Sequence, residues 1–276
     1  MAYDKIVDST ALDTALTNIA DSIRAKTGKT DPLTIEQMPS EIAGISGGGS
    51  SENNENWKYA TGISFAKATL PDTFEVTLPD AQKNLSYMFD LTSVKHIILH
   101  SAAKPTSLGR AFFRANNGGL YTVTLDFDTS EVTNYENCFS FGIGAWGANF
   151  TAINGILDFT SVTTTASAGS MFAATNNLKD VTFAANTLNV DFNASAILNI
   201  NDTSLLSFIN CLKDRTGEDA LTLTVANAWK TADTGRLYVN YVKLDADTGL
   251  YVSCEQADEG AMTIAAAITA KNWTIA

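Results

Sequence analysis

A dipeptide made of a small or sulphur-containing residue followed by phenylalanine recurs through the middle of the chain. The four copies are Met88-Phe89, Ala111-Phe112, Cys138-Phe139 and Met171-Phe172. Successive phenylalanines are separated by 23, 27 and 33 positions. A period of about 20–35 residues with one strand per unit is typical of a solenoid, in which each turn buries its apolar side chains against the next.

Each dipeptide is followed by an apolar-x-x-apolar step that leads into a short β-prone run. The steps cover 91–94, 120–123, 153–156 and 178–181. Alternating apolar positions predict strands at 74–78, 96–99, 121–127, 155–159 and 180–183. We therefore expect a solenoid body over residues 57–200, with loops of unequal length on one side.

These repeats resemble the irregular leucine-rich repeats of bacterial surface proteins of the BspA type. The resemblance rests on the apolar steps and on the phenylalanine before each of them, although the unequal spacing departs from an ideal repeat. It implies a mainly β fold with short helices, organised as a leucine-rich-repeat-like β-solenoid.

The composition narrows the classes of partner. The chain has 276 residues, of which only 17% are charged, and its formal net charge is −12. Such acidity disfavours a nucleic-acid backbone or an anionic membrane as partner. No secretory signal is recognisable at the N-terminus, and no apolar run approaches the roughly 20 residues of a membrane span. We expect synthesis in a bacterial cytoplasm without export by the general secretory route.

Residues 1–45 are predicted to form a helical attachment module. An amphipathic helix over 10–26 carries one narrow apolar stripe, because its apolar residues recur at spacings of 4, 3 and 4. The candidate docking residues of this stripe are Leu12, Leu16, Ile19 and Ile23. Two interpretations stay open: the stripe packs onto the following segment, 33–45, or it mediates self-association and docking into a larger assembly.

A linker rich in Gly, Ser and Asn is predicted at residues 46–56. A chain of this composition is flexible, so the module and the body should move independently. Beyond the solenoid, residues 201–276 are predicted to form a C-terminal cap of mixed helix and strand. We expect a helix capped by Asp202 or Thr203, a strand at 221–225 and a hairpin over 236–254.

Residue types that bind metals or act as nucleophiles are few and unsuitably spaced. Cys138, Cys211 and Cys254 lie far apart, which predicts buried thiols without a disulfide or metal site. His96 and His100 lie in a predicted strand without further metal ligands nearby, which favours a structural or surface role. We expect no cofactor.

Asp126 and Asp128 flank Phe127 at a separation of roughly 7 Å along a strand, within the range of paired glycosidase carboxylates. Because Leu125 and Phe127 are expected to face the core, both acids should be solvated. Nothing would then raise one pKa for acid catalysis. The sequence predicts no catalytic residue and a protein that is not an enzyme.

A glycine-rich loop at 142–150 contains the candidate glycan-binding residues, Trp146 and Asn149. An exposed indole can stack on a sugar ring while a neighbouring amide binds hydroxyl groups. The alternative is that Trp146 anchors the loop against the solenoid.

Both ends of the chain resemble tail and baseplate proteins of phages and prophages of Gram-positive bacteria. Residues 16–45, which include Pro32-Leu-Thr-Ile-Glu-Gln-Met-Pro39, are similar to their N-terminal module, and 204–217 with 258–276 are similar to their C-terminal cap. The resemblance implies a non-enzymatic virion protein whose N-terminus docks into the tail and whose solenoid presents a binding surface.

The partners implied by this resemblance are neighbouring tail or baseplate proteins, a host cell-wall glycan or a host surface protein. A homo-oligomer is also implied, since tail fibres are often trimers. Two alternatives stay open. A bacterial adhesin would share the repeats but should carry a secretion signal and a wall anchor, and a tail-borne glycan depolymerase should carry paired acids in a groove.

Overall fold

The chain folds mainly into β structure with a few short helices, as expected from its composition and repeats. A computed structural model describes residues 9–27, 30–32, 34, 37, 63–115, 119–141, 149–231 and 234–276. Two compact units, 1–54 and 55–276, make up the chain. The predicted linker at 46–56 lies outside the described residues.

The described part of the first unit contains helix α1, Ser9–Thr27. The predicted stripe is unevenly exposed: Ile23 is buried, Leu16 is half-buried and Ile19 is 46% exposed. The side chain of Leu12 lies outside the described residues, as does most of the 33–45 segment. Docking through this stripe therefore stays a prediction.

Five parallel strands in chain order form the main sheet of the second unit. They are β1 Thr73–Leu78, β2 His96–Ser101, β3 Thr122–Asp126, β4 Ala152–Leu157 and β5 Asp180–Phe183. Each strand pairs with the next one along the chain, so the backbone advances by one strand per turn. This is a β-solenoid of about four turns, which confirms the prediction from the repeat.

The repeated phenylalanines form one continuous ladder of rings through the core. Phe89, Phe112, Phe139 and Phe172 stack with centroid distances of 5.6, 5.3 and 6.0 Å. Phe65 adds a further ring 5.3 Å from Phe89. These separations are those of favourable aromatic pairs. The residue before each of the four repeated rings is fully buried, which explains why it is small or flexible.

The turn around each phenylalanine is bonded to the next turn through the backbone. Phe89 N donates to Ala111 O at 2.8 Å, and Phe112 N donates to Cys138 O at 3.0 Å. Non-glycine residues with positive φ lie two positions before these rings, at Tyr87 and Arg110. Backbone hydrogen bonds therefore connect successive turns around the phenylalanines as well as within the main sheet.

Strand β4 begins three residues before its predicted start. The prediction of 155–159 misses an irregularity, because Ala152 pairs with Asp180 while Ile156 pairs with Thr182. Gly155 lies within this bulge at φ +115°, and a Cβ there would lie 2.4 Å from Leu125 O. Only glycine fits so close to the neighbouring strand.

The rest of the second unit holds two three-stranded sheets and four short helices in the described residues. The helices are α2 Asp202–Cys211, α3 Asn227–Lys230, α4 Arg236–Val239 and α5 Ile264–Ala270. Strands β6 Phe192–Ala194, β7 Leu221–Val225 and β11 Trp273–Ile275 form a parallel sheet. Strands β8 Tyr241–Leu244, β9 Tyr251–Cys254 and β10 Met262–Thr263 form an antiparallel one.

Two details of this region differ from the expectation. Residues 236–239 form the helical turn α4 where the first strand of the hairpin was predicted, so the hairpin is confined to β8 and β9. Helix α2 is capped by Asn201, whose side chain accepts from Ser204 N at 2.8 Å, and not by Asp202 or Thr203. Asn201 is an equally suitable capping residue one position earlier.

Helix α2 covers the β5 edge of the main sheet. Ser204 Oγ accepts from Val181 N at 2.9 Å, and Ser207 Oγ accepts from Phe183 N at 2.8 Å. Serines three apart share one helix face, and alternate residues of a strand present their amides to one side. The two hydroxyls thus replace the strand that would otherwise pair with β5.

The end of α2 is held by a buried ammonium group. Lys271 is only 8% exposed, and its Nζ donates to Leu212 O at 2.6 Å and to Ile209 O at 3.2 Å. Burial lowers the pKa of Lys271 to about 8, so the group is mainly protonated at neutral pH. Its charge lies where helix carbonyls lack intrahelical partners.

Candidate functional site

The two faces of the main sheet differ sharply in character. Inward residues such as Ile97, Leu99 and Val123 are fully buried. The outward residues of β1 to β5 are mostly polar and are exposed or partly exposed: Thr73, Glu75, Thr77, His96, Ile98, His100, Thr122, Thr124, Asp126, Ala152, Asn154, Ile156, Asp180 and Thr182. We call this set the outer face.

A three-residue cluster crosses three strands at one end of the outer face. His100 of β2 contacts Asp126 Oδ2 of β3 through Nδ1 at 2.7 Å and Glu75 Oε1 of β1 through Nε2 at 2.8 Å. Both carboxylates are exposed and His100 is partly exposed. The hydrogen bonds to Asp126 and Glu75 raise the pKa of His100 above its ordinary value.

The second histidine lies four residues earlier on the same face, in neutral surroundings. His96 Nδ1 is 2.9 Å from Thr122 Oγ1, and its ring stacks with Tyr121 at a centroid distance of 5.8 Å. Tyr121 is 38% exposed. Further along the face, Asn154 Nδ2 donates to Thr124 Oγ1 at 3.0 Å. Both histidines therefore have the surface position that the sequence predicts.

The acidic residues near this face do not form an acid–base pair. Asp128 is exposed, and Lys104 at 2.8 Å holds its pKa at about 2, so this carboxylate stays ionised. Asp126 is occupied by His100. Asp90, on the turn side, is buried, which raises its pKa, but Arg114 binds both its oxygens at 3.1 and 2.9 Å. That pair ties two turns together.

Of the two candidate glycan-binding residues, one lies within the described residues and one lies outside them. Trp146 lies outside the described residues, so its role stays a prediction. Asn149 is exposed in a turn directly before Phe150, which is fully buried and 5.9 Å from Phe139. Phe150 fixes the end of the loop in the core, and Asn149 is left at the surface.

Two of the three thiols are unsuited to nucleophilic attack. Cys138 and Cys211 are buried, and burial raises the pKa of both, that of Cys211 to about 12. Cys254 is half-buried and unpaired like the other two. The described residues contain no group of three or more Cys, His, Asp or Glu side chains placed to hold a metal ion.

A small depression is lined by residues from the later part of the solenoid and from the start of the C-terminal region. It measures about 300 Å³ and is lined mainly by Thr160, Thr163, Asn186 and Lys213. Sites for small organic ligands usually occupy about 300–1,000 Å³ and are largely apolar. This depression is at the lower limit and polar, so the outer face is the stronger candidate.

Comparisons with known proteins add no assignment: no protein-family model, curated protein or solved structure matches this chain. Among the described helices, none combines the length and the apolar character needed to cross a membrane.

Proposed function

We propose that this chain is a non-enzymatic structural protein of a phage or prophage tail or baseplate, which displays the outer face of its solenoid to a partner. The observation that carries the proposal is the outer face itself. Its polar side chains project from strands that are fixed by backbone hydrogen bonds and by the phenylalanine ladder beneath. A rigid polar surface of this kind suits recognition, because little ordering is needed on binding.

The chemistry of the described residues supports binding over catalysis. The exposed carboxylates of Asp126 and Asp128 are engaged by cations, and the buried thiols have raised pKa values. His100 is held by two carboxylates, so neither ring nitrogen is directed at a nucleophile. A general acid or base needs a pKa near the working pH and a free path to substrate.

The attachment step is proposed for residues 1–45. In helix α1, the 46% exposed Ile19 leaves apolar surface available to another subunit or a neighbouring tail protein. The resemblance of 16–45 to tail modules supports a partner within the tail assembly. The partner of the outer face is then a host cell-wall glycan, a host surface protein or an adjacent tail protein.

The proposal is tested by immunogold electron microscopy of induced cultures of the source bacterium. The antibody is raised against residues 57–276, and preimmune serum is the control. Gold on the distal tail of particles is the expected result. Gold on intact cells in cultures without particles would overturn the proposal and make a surface adhesin the leading assignment.

A further inference from the structure

The first strand of the solenoid is held differently from the strands that follow it. Among the described strands, β1 is an edge of the main sheet and pairs with β2 alone. Two of its three inward residues, Phe74 and Val76, are only partly buried, whereas the inward residues Ile97 and Leu99 of β2 are fully buried. An edge strand with little burial is where a sheet opens first.

The cluster of Glu75, His100 and Asp126 joins this strand to β3 across β2. Each ring nitrogen of His100 lies within 2.8 Å of a carboxylate oxygen, so both contacts are hydrogen bonds when both nitrogens donate. An imidazolium carries two N–H donors, but a neutral imidazole carries one. Loss of the proton therefore leaves one carboxylate facing a nitrogen lone pair.

Among the described residues, two charged side chains form ion-pair contacts with His100. Glu75 faces it from β1 and Asp126 faces it from β3, while its outward neighbour on β2 is the uncharged Ile98. A further ion pair, Lys104 with Asp128 at 2.8 Å, follows the ends of β2 and β3 and is already matched in charge. No described cation other than His100 contacts Glu75.

We propose that Glu75, His100 and Asp126 form a proton-dependent clasp that fastens the first strand of the solenoid to the second and third and loosens when His100 is deprotonated. The clasp makes the anchoring of β1 a function of pH. Regulation of this kind goes beyond the tail function proposed above and does not depend on it.

The direction of the pH effect follows from the raised pKa of His100. A histidine whose pKa in the folded protein is higher than its unfolded value of about 6.5 stabilises the fold fully when the pH is below that unfolded pKa. This contribution is lost as the pH rises through the folded pKa. Opening of β1 should therefore increase from mildly acidic to alkaline pH.

His96 provides a matched control within the same strand. It has the same side chain on the same face, but its polar contact is the hydroxyl of Thr122 at 2.9 Å. A hydroxyl can donate or accept, so a neutral imidazole satisfies this contact. Replacement of His96 should leave the pH dependence of β1 unchanged.

The first test is an NMR titration of the unmodified full chain, whose only histidines are His96 and His100. The expected result is that His100 titrates above about 6.5, and that its pKa falls in Glu75→Gln. A pKa of His100 at or below the ordinary value would overturn the clasp without requiring any variant to fold.

The second test measures hydrogen-exchange protection factors of the β1 amides at pH 6 and pH 9 in wild type, His100→Gln and His96→Gln. Protection factors correct for the intrinsic effect of pH on exchange. Wild type and His96→Gln should lose protection by about two- to fivefold at the higher pH, as expected for exposed ion pairs. The proposal fails if protection is independent of pH in wild type, or if His100→Gln shows the same loss.

Discussion

The two edge strands of the main sheet, β1 and β5, are stabilised by different kinds of contact. At the β5 edge, helix α2 supplies hydroxyl acceptors for strand amides, and its Phe208 packs 5.2 Å from Phe183. At the β1 edge, two side-chain contacts connect the first turn to the next one. Glu75 contacts His100, and Asp72 binds Lys95 at 2.7 Å. The covered end gains stability from buried apolar area, whereas the other end relies on exposed ion pairs, which contribute little.

This difference predicts a gradient of local stability along the solenoid. Units of a repeat protein are stabilised mainly by their neighbours, so a terminal unit with one neighbour opens most readily. The described part of the N-terminal end has partly buried aromatics at Phe65 and Phe74, while Phe183 and Phe208 are buried at the other end.

The largest effect is expected from Phe208→Ala compared with Phe74→Ala. Phe208 is 1% exposed, so its loss leaves a cavity at the covered end and should lower the free energy of unfolding by about 3–5 kcal/mol. Phe74 is only partly buried, so its loss should cost about half as much. Urea denaturation measures both. Equal losses would contradict the difference between the two ends.

A smaller loss is expected from Lys271→Ala. The substitution removes the donor to the carbonyls at the end of α2, and buried acceptors without partners cost about 1–3 kcal/mol. Lys179→Ala is the control, because Lys179 is exposed. Thermal and urea unfolding should show a loss of about 2 kcal/mol for the first variant and less than about 0.5 kcal/mol for the second.

The edge covering itself is tested by Ser204→Ala. Val181 N then loses its acceptor inside a buried contact, which should cost about 1–2 kcal/mol and speed exchange of that amide. Ser195→Ala, at an exposed position, is the matched control. If the Val181 amide keeps its protection in Ser204→Ala, the Ser204 hydroxyl is not what protects the β5 edge.

The smallest effect on stability is expected from Asn154→Arg in the middle of the outer face. The residue is exposed, so unfolding should change by no more than about 0.5 kcal/mol. A bulky cation there should nevertheless weaken adsorption of particles to cells of the source bacterium by tenfold or more, if the face contacts the host. Asn176→Arg, exposed away from that face, is the control. Normal adsorption and normal particle assembly of the Asn154 variant would remove the outer face as the binding surface.

Several contacts could have been found in the sequence from the repeat period alone. Ser64-Phe65 fits the dipeptide pattern 24 positions before Phe89, and Phe65 is indeed the next ring of the ladder. Opposite charges recur at the same interval, as in Glu75 with His100 and Asp90 with Arg114, which are 25 and 24 positions apart. Residues one period apart lie side by side in a solenoid, so they form pairs across turns.

Other features had no local signal. The run Arg236-Leu-Tyr-Val239 alternates like a strand but forms helix α4, because tertiary packing overrides weak local preference. Lys271 reads as an ordinary surface lysine, and its burial follows only from the approach of α5 and β11 to the end of α2. Trp146 and the linker at 46–56 stay predictions.

The repeated phenylalanine was sufficient to predict a solenoid, because a large apolar side chain that returns once per turn is buried when it stacks on its own copies. The register between turns depends on tertiary contacts, since loops of unequal length and the bulge at Gly155 set which residues become neighbours. That register places His100 between two carboxylates and His96 beside a hydroxyl. Two identical side chains four residues apart thereby acquire different chemistry.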